Sequence, residues 1–447
     1  MSLSDDELRA AIRREMPGVR ADLENLIRIP SVAFPGFDHS HVQRSAEAVA
    51  ELLRGCGLET QIVREGGGHP AVIGRKPAPP GAPTVLLYAH HDVQPAGDPA
   101  LWHGAPFEPQ ERDGRLYGRG AADDKAGVMA HVAALRAFGD DLPVGVVVFA
   151  EGEEEYGSES LDAILHAYQD ELRSDVMVIA DSGNWDIGVP GLTTSLRGLV
   201  SLFAEVKVLK NAVHSGMFGG VVPDALTVLA RLIATLHDEA GEVAVDGLAG
   251  REGATVDYPA DRFRSEAGML DGVQFTGTGT ITDRIWTKPA IAVLGIDAPG
   301  AAEAANALQP SARAKISVRL APGDDATSAY AAIKAHLEKN VAWGARVEVT
   351  PDTDGEPTVI DATGPVYDAA RAAFRDAWDG TEPVDMGVGG SIPFIATFRE
   401  LFPQAKILVT GVEDPQSNAH GPGESLHLGE FERVCLAEAM LLRNLRG

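Results

Sequence analysis

Three acids set the frame of this chain. Asp92, Asp123 and Glu154 follow one another at intervals of 31 residues. That interval fits one strand-plus-helix unit per acid, and such units lay their strands side by side in a parallel sheet. Asp92 closes Val85-Leu86-Leu87-Tyr88-Ala89-His90-His91-Asp92, an apolar run that reads as a buried strand with two histidines and an aspartate at its end. His90 and Asp92 lie two apart, so an extended backbone points both to one side and His91 to the other. The pattern recurs. Pro143 to Phe149 runs into Glu151-Gly152-Glu153-Glu154-Glu155, Asp175 to Ala180 runs into Asp181, and Ala405 to Thr410 precedes His420. The ends of such strands are where open α/β sheets bind ligands.

Helical periodicity fills the gaps over residues 4–28 (ended by Pro30), 45–53, 124–135, 365–378 and 429–445. Strands alternating with helices predict an α/β fold, a mainly parallel sheet with helices on both faces. The pattern changes near Arg197. Strands over 198–209, 290–296, 312–320 and 345–350, with helices over 223–238 and 325–339, follow the order β-α-β-β-α-β. That order predicts a small ferredoxin-like α+β domain inserted into the larger one. The boundaries are 1–196 and 358–447 for the large domain and 197–357 for the insert. Residues 96–120 and 240–288 lack periodicity and read as irregular.

A chain of 447 residues exceeds one ordinary core, which fits this division. The net charge of −27 argues against nucleic acid as a partner. No apolar run reaches the roughly 18 residues of a membrane helix. Asp5, Asp6 and Glu7 precede any apolar run, unlike a secretory leader. Two cysteines, Cys56 and Cys435, suit a reducing compartment, so a cytoplasmic protein is expected.

The candidates for chemistry are His90, Asp92, Asp123, Glu154, Glu155, Asp181 and His420. Two imidazoles and several carboxylates on one sheet edge suit Zn²⁺ or Mn²⁺. An oxygen-only Ca²⁺ site would not use histidine. Glu151, Glu153 and Glu159 read as solvated surface, because long carboxylates are rarely buried unpaired. His39, His41 and His69 also read as surface. Lys125 and Arg119 read as partners of an acidic rim, His91 as structural, and His427 has no assigned role.

Four motifs carry a resemblance. Tyr88 to Pro95, Gly118 to Lys125, Glu151 to Ser158 and His214-Ser215-Gly216-Met217-Phe218-Gly219-Gly220 are similar to those of the M20 metallopeptidases. The branch is that of cytosolic, carnosinase-like and PepV-like dipeptidases, and the likeness covers nearly the whole chain. It implies a zinc-peptidase-like catalytic domain with an inserted lid and dimerisation domain. It implies two divalent metal ions, with Asp123 bridging them, Glu155 and His420 on one, His90 and Asp181 on the other. Asp92 would orient His90, Glu154 would be the general base, and the Asp123–Asp124 peptide would be cis. His214 would steady the oxyanion, from the partner subunit in dimeric relatives. Arg319, Gly390 and Ser391 would hold the substrate carboxylate. The family places Asp at the position of Asp181 mostly in dipeptidases and aminopeptidases, which favours hydrolysis of dipeptides or short peptides. An N-acyl-amino-acid deacylase or desuccinylase on the same scaffold is the alternative, and a non-catalytic binding protein a further one. Ala89 stands where the family more often has Gly, and Asn418-Ala419 precedes His420. Neither change removes a ligand.

Overall fold

The computed structural model describes residues 3–390 and 392–446. The chain divides into two compact units. The first comprises Met1–Thr194, Ile360–Met386 and Pro393–Gly447, and the second Ser195–Val359 with Gly387–Ile392.

The first unit is built on a sheet ordered Glu59–Val63, Ala71–Lys76, Gly145–Glu151, Thr84–His90, Val176–Ile179, Lys406–Val409, then Gly191–Leu196. The four middle strands, from Gly145–Glu151 to Lys406–Val409, are mutually parallel. The flanking pairings are antiparallel. Thr84–His90 and Gly145–Glu151 are buried nearly end to end, which is why they read as continuous apolar runs rather than alternating ones. Helices Asp5–Ile27, Lys125–Phe138, Pro365–Ala377 and Leu428–Asn444 pack on one another. The helix Pro393–Leu401, with no clear signal in the sequence, stacks Phe394 on Tyr88 and Phe149. The sheet is thus a mixed α/β core whose middle is parallel.

Two stretches that read as irregular are ordered. Within 96–120, strands Gln110–Arg112 and Arg115–Tyr117 pair with each other, and Arg115–Tyr117 also pairs with Ser425–His427. Three-residue strands are too short for a period to show, and their partner lies at the far end of the chain. This small sheet occupies the interval between Asp92 and Asp123, so that interval is not a strand-plus-helix unit. Asp123 precedes the helix Lys125–Phe138 instead of following a strand of the main sheet.

The second unit holds a four-stranded antiparallel sheet ordered Ala290–Asp297, Ser311–Leu320, Gly198–Lys207, Arg346–Gly355. Alternate residues Val200, Leu202, Ala204 and Val206 face the core, as do Ala312, Ala314, Ile316 and Val318. Helices Ala225–Ala234 and Ala326–Asn340 cover that face. Residues 240–288 contain the helix Ala260–Glu266 and a turn over Asp283–Thr287. The Asp283 carboxylate ties the stretch together by accepting from the N–H groups of Gly253, Ala254 and Thr280.

Candidate metal centre

The four parallel strands end side by side, and each leads into a site residue at or past its carboxyl end. His90 closes one and Asp92 follows it, Glu154 and Glu155 follow the next, Asp181 the third, and His420 comes from the longer connection after the fourth, Lys406–Val409. Asp123 comes to the same place from the turn ahead of Lys125–Phe138, and the Asp123–Asp124 peptide is cis.

Asp123 stands between the two imidazoles. Its Oδ1 lies 3.0 Å from His90 Nε2, and its Oδ2 lies 3.0 Å from His420 Nε2. His420 Nε2 is 3.2 Å from Glu155 Oε2, and His90 Nε2 is 3.9 Å from Asp181 Oδ1. Two half-sites result, each with one histidine, one further acid and one oxygen of Asp123. Ligand atoms of His90, Glu154 and Asp181 lie within 4.8 Å of one another, and so do those of His90, Asp123 and Glu155.

The electrostatics ask for cations. Burial, then the charge of Asp123, pushes Glu155 to about 7. Burial raises Asp181 to about 6, again with Asp123 adding to it. Burial with the charges of Asp181, Glu155 and Glu151 lifts Glu154 well above the carboxylate range. Burial would raise Asp123 too, but hydrogen bonds with His420 and His90 hold it below its ordinary value. Those bonds to Asp123 and Glu155 in turn raise His420 to about 11. Buried carboxylates in this number need compensating positive charge, and the mixed nitrogen and oxygen donors suit a borderline divalent ion. The residues therefore fit two divalent metal ions.

Backbone contacts hold the donors in place. Asp92 accepts the N–H of Glu154 on Oδ1 and that of Glu155 on Oδ2, both at 3.1 Å. It also meets His90 Nδ1, through its backbone oxygen at 3.2 Å and Oδ1 at 3.4 Å. Gln94 grips Glu155 with its N–H at 3.1 Å and its side-chain amide at 2.7 Å. Asp124 accepts the N–H of His90 at 3.1 Å. Gly152 can be nothing larger, since a Cβ there would lie 2.3 Å from the Pro70 carbonyl oxygen and 2.9 Å from His91 Cε1.

Several residues sit elsewhere than expected. Glu151 and Glu153 are buried, not solvated. Glu151 accepts from the Tyr88 hydroxyl at 2.8 Å, and Glu153 accepts the N–H groups of His69 and Ser160. Local donors make their burial affordable, and none of those donors is visible from the acidic run itself. Lys125 belongs to no rim: it is buried and donates to the carbonyls of Leu26 and Ile29. His91 is structural, with Nε2 2.9 Å from the Pro70 carbonyl oxygen. His427 caps the helix Leu428–Asn444 by accepting the N–H of Glu430. Glu413 was not singled out by sequence, yet burial and the charges of Asp123 and Asp181 raise it well above its ordinary range. Its signal is only its place, just past the strand Lys406–Val409.

His214, Arg319 and Gly390 belong to the second unit. His214 is exposed and its Nδ1 accepts the N–H of Gly216 at 3.0 Å, which leaves Nε2 to carry the proton of the neutral ring. Arg319 is half-buried, and Arg197 lies close enough to feel its charge. Among the described residues no carboxylate pairs with either guanidinium. A Cβ at Gly389 would stand 3.0 Å from Arg197 Nη2. Ser391 lies outside the described residues.

A nest of carboxylates around two imidazoles, at the carboxyl edge of parallel strands, defines the class of metal-dependent α/β hydrolases. The model of peptidase family M20/M25/M40 matches residues 86–444. A cysteinylglycine-S-conjugate dipeptidase of Corynebacterium striatum is 38% identical over 410 residues, 90% of this chain and 89% of that protein. A human Beta-Ala-His dipeptidase is 28% identical, over 76% of this chain and 70% of its own. The structure of human carnosine dipeptidase 1 superposes with a TM-score of 0.82 at 25% identity, covering 100% of both chains. The yeast Dug1p di-peptidase gives a TM-score of 0.85 at 24% identity, covering 100% of this chain and 99% of its own. The chain belongs to peptidase family M20/M25/M40.

Proposed function

We propose that this chain is a dinuclear metal-dependent dipeptidase. The carrying observation is Asp123, with one carboxylate oxygen 3.0 Å from each of the two imidazoles. His90 and Asp181 would hold one ion, His420 and Glu155 the other, and Asp123 would bridge them. Zn²⁺ is the first choice and Mn²⁺ the second. Two such ions supply Lewis acidity and a water acidic enough to attack near neutral pH.

The protein's own groups do the rest. Glu154 takes a proton from the attacking water on its carboxylate and returns it to the leaving amine nitrogen. Asp92 fixes the turn that carries Glu154, and so aims it. His214 offers its Nε2 proton to the developing oxyanion. Arg319 and the backbone at Gly390 and Ser391 bind the substrate carboxylate, and with no acid paired to it among the described residues Arg319 is free for that role.

Residues 1–196 and 358–447, apart from Gly387–Ile392 of the second unit, act as the metal-binding domain, and 197–357 as the lid and dimerisation domain. The strand Ala290–Asp297 supports a homodimer, since it is an edge strand that exposes Val293, Leu294 and Ile296. Among the described residues no helix is long and apolar enough to cross a membrane. Cys56 and Cys435 are free thiols, which suits the cytoplasm.

The relatives named above are dipeptidases, and the test follows from that. The metal-loaded protein is assayed on free dipeptides and on their N-acetyl and N-succinyl counterparts. Turnover of the free dipeptides alone is expected. Turnover of the acylated compounds alone would replace this reading with a deacylase, and none of either, with ions bound, with a binding protein.

A further inference from the structure

Arg119 and Glu424 are fully buried and charged, and neither belongs to the donor set. Arg119 Nη1 lies 2.6 Å from Glu424 Oε2. The same carboxylate accepts three backbone donors at and just before Asp123: Gly120 at 3.1 Å, Ala122 at 2.9 Å and Asp123 itself at 3.1 Å. On the other side, Arg119 Nη2 donates to the carbonyl oxygens of His420 at 3.0 Å and Gly421 at 3.2 Å. One ion pair therefore joins the backbone of Asp123 to the backbone of His420.

His420 needs such a hold. Its side chain is 60% exposed, so packing does not fix the ring. Its φ of 61° lies in the left-handed region, which a non-glycine residue adopts only when its surroundings impose it. The segment that carries it is pinned at both ends by buried arginines from one short stretch. Arg115 forks onto Asp414 at 3.1 and 2.8 Å, and Arg119 holds Glu424. Burying such a pair is weak evidence for stability and better suited to fixing one geometry. Burial pushes the Glu424 carboxyl up, while Arg119 and the Ala122 and Asp123 N–H groups oppose it.

We propose that the Arg119–Glu424 pair is a positioning device that sets the separation of Asp123 and His420, and thereby the affinity of the His420–Glu155 half-site. The inference rests on the two-ion reading above. It predicts an asymmetry. Beyond Glu424, Arg119 grips the carbonyl oxygens of His420 and Gly421 and, at 3.5 Å, that of Pro95, but no atom of Asp123, whereas Glu424 grips the backbone of Asp123, which serves both half-sites.

The test is calorimetric titration of the metal-stripped full chain with Mn²⁺, with circular dichroism and melting as controls for folding. The wild-type chain is expected to take two ions, and fewer would overturn the two-ion reading and this inference with it. Arg119→Lys keeps a cation beside Glu424 but loses the fork. It should weaken one ion by about 10- to 100-fold and leave the other unchanged. Glu424→Gln should weaken both. Folded variants that bind both ions like the wild type would overturn the proposal, with two-ion binding intact. So would an Arg119→Lys variant that weakens both ions equally, since that marks a loosened fold. Should Glu424→Gln fail to fold, Arg119→Lys decides alone.

Discussion

Asp92 spends both carboxylate oxygens on the N–H groups of Glu154 and Glu155, so the turn that carries Glu154, the proposed general base, is held by a residue just past the strand Thr84–His90. Glu154→Gln keeps that backbone geometry and removes only the proton acceptor. Turnover of dipeptide should fall by roughly 10²- to 10⁴-fold, while metal titration still shows both ions. Loss of the ions together with activity would make Glu154 a ligand. His91 gives a second prediction. Burial lowers it to about 4 from an ordinary 6.5, and its buried Nδ1 has no partner among the described residues. A folded pKa below the unfolded one adds stability that is complete above pH 6.5 and is lost as pH falls toward 4. His91→Gln should flatten the fall in melting temperature between pH 7 and pH 4.5, compared with the wild type. An unchanged slope would place the acid sensitivity elsewhere. At this scale the sequence brought forward the side chains that the fold gathers at one sheet edge, because most of them lie past the end of an apolar strand, with Asp123 the exception. It did not show that Glu151 and Glu153 are buried, because Tyr88, His69 and Ser160 meet them only through the fold.

Elements were legible in proportion to their length. The long strands and helices declared themselves by period, whereas the short strands around Arg115 depend on a partner at the other end of the chain. The equal spacing of Asp92, Asp123 and Glu154 pointed to the right sheet edge through a mistaken intermediate, since the first interval holds a hairpin and not a helix. Within the second unit, Trp286 from the turn Asp283–Thr287 packs where a side chain at Gly387 would go. A Cβ there would stand 2.6 Å from that of Trp286. Gly387→Ala should lower stability by about 1–3 kcal/mol, and a melting temperature equal to the wild type would show that the turn yields freely. The exposed edge strand makes its own prediction. Leu294→Glu places a charge on a strand offered for pairing, and sedimentation should show a monomer for the variant and, as proposed, a dimer for the wild type. A dimer that survives would move the interface off this strand.

At the scale of the whole molecule, the excess of 65 acidic over 38 basic residues has a visible local counterpart in the carboxylates gathered at one sheet edge. Ions that bind only the folded chain stabilise it by mass action, by about 2.7 kcal/mol at a hundredfold excess over Kd. Chelation should therefore lower the melting temperature, and restored metal should raise it again. A melting curve indifferent to chelator would remove the ions from the folding balance. The most direct single measurement is the recovery of dipeptide hydrolysis as Zn²⁺ or Mn²⁺ is added stepwise to the metal-stripped protein. Activity that climbs to a plateau at two equivalents per chain is the predicted result. A plateau at one equivalent, or hydrolysis that needs no added metal after complete stripping, would contradict a centre built on Asp123 between His90 and His420.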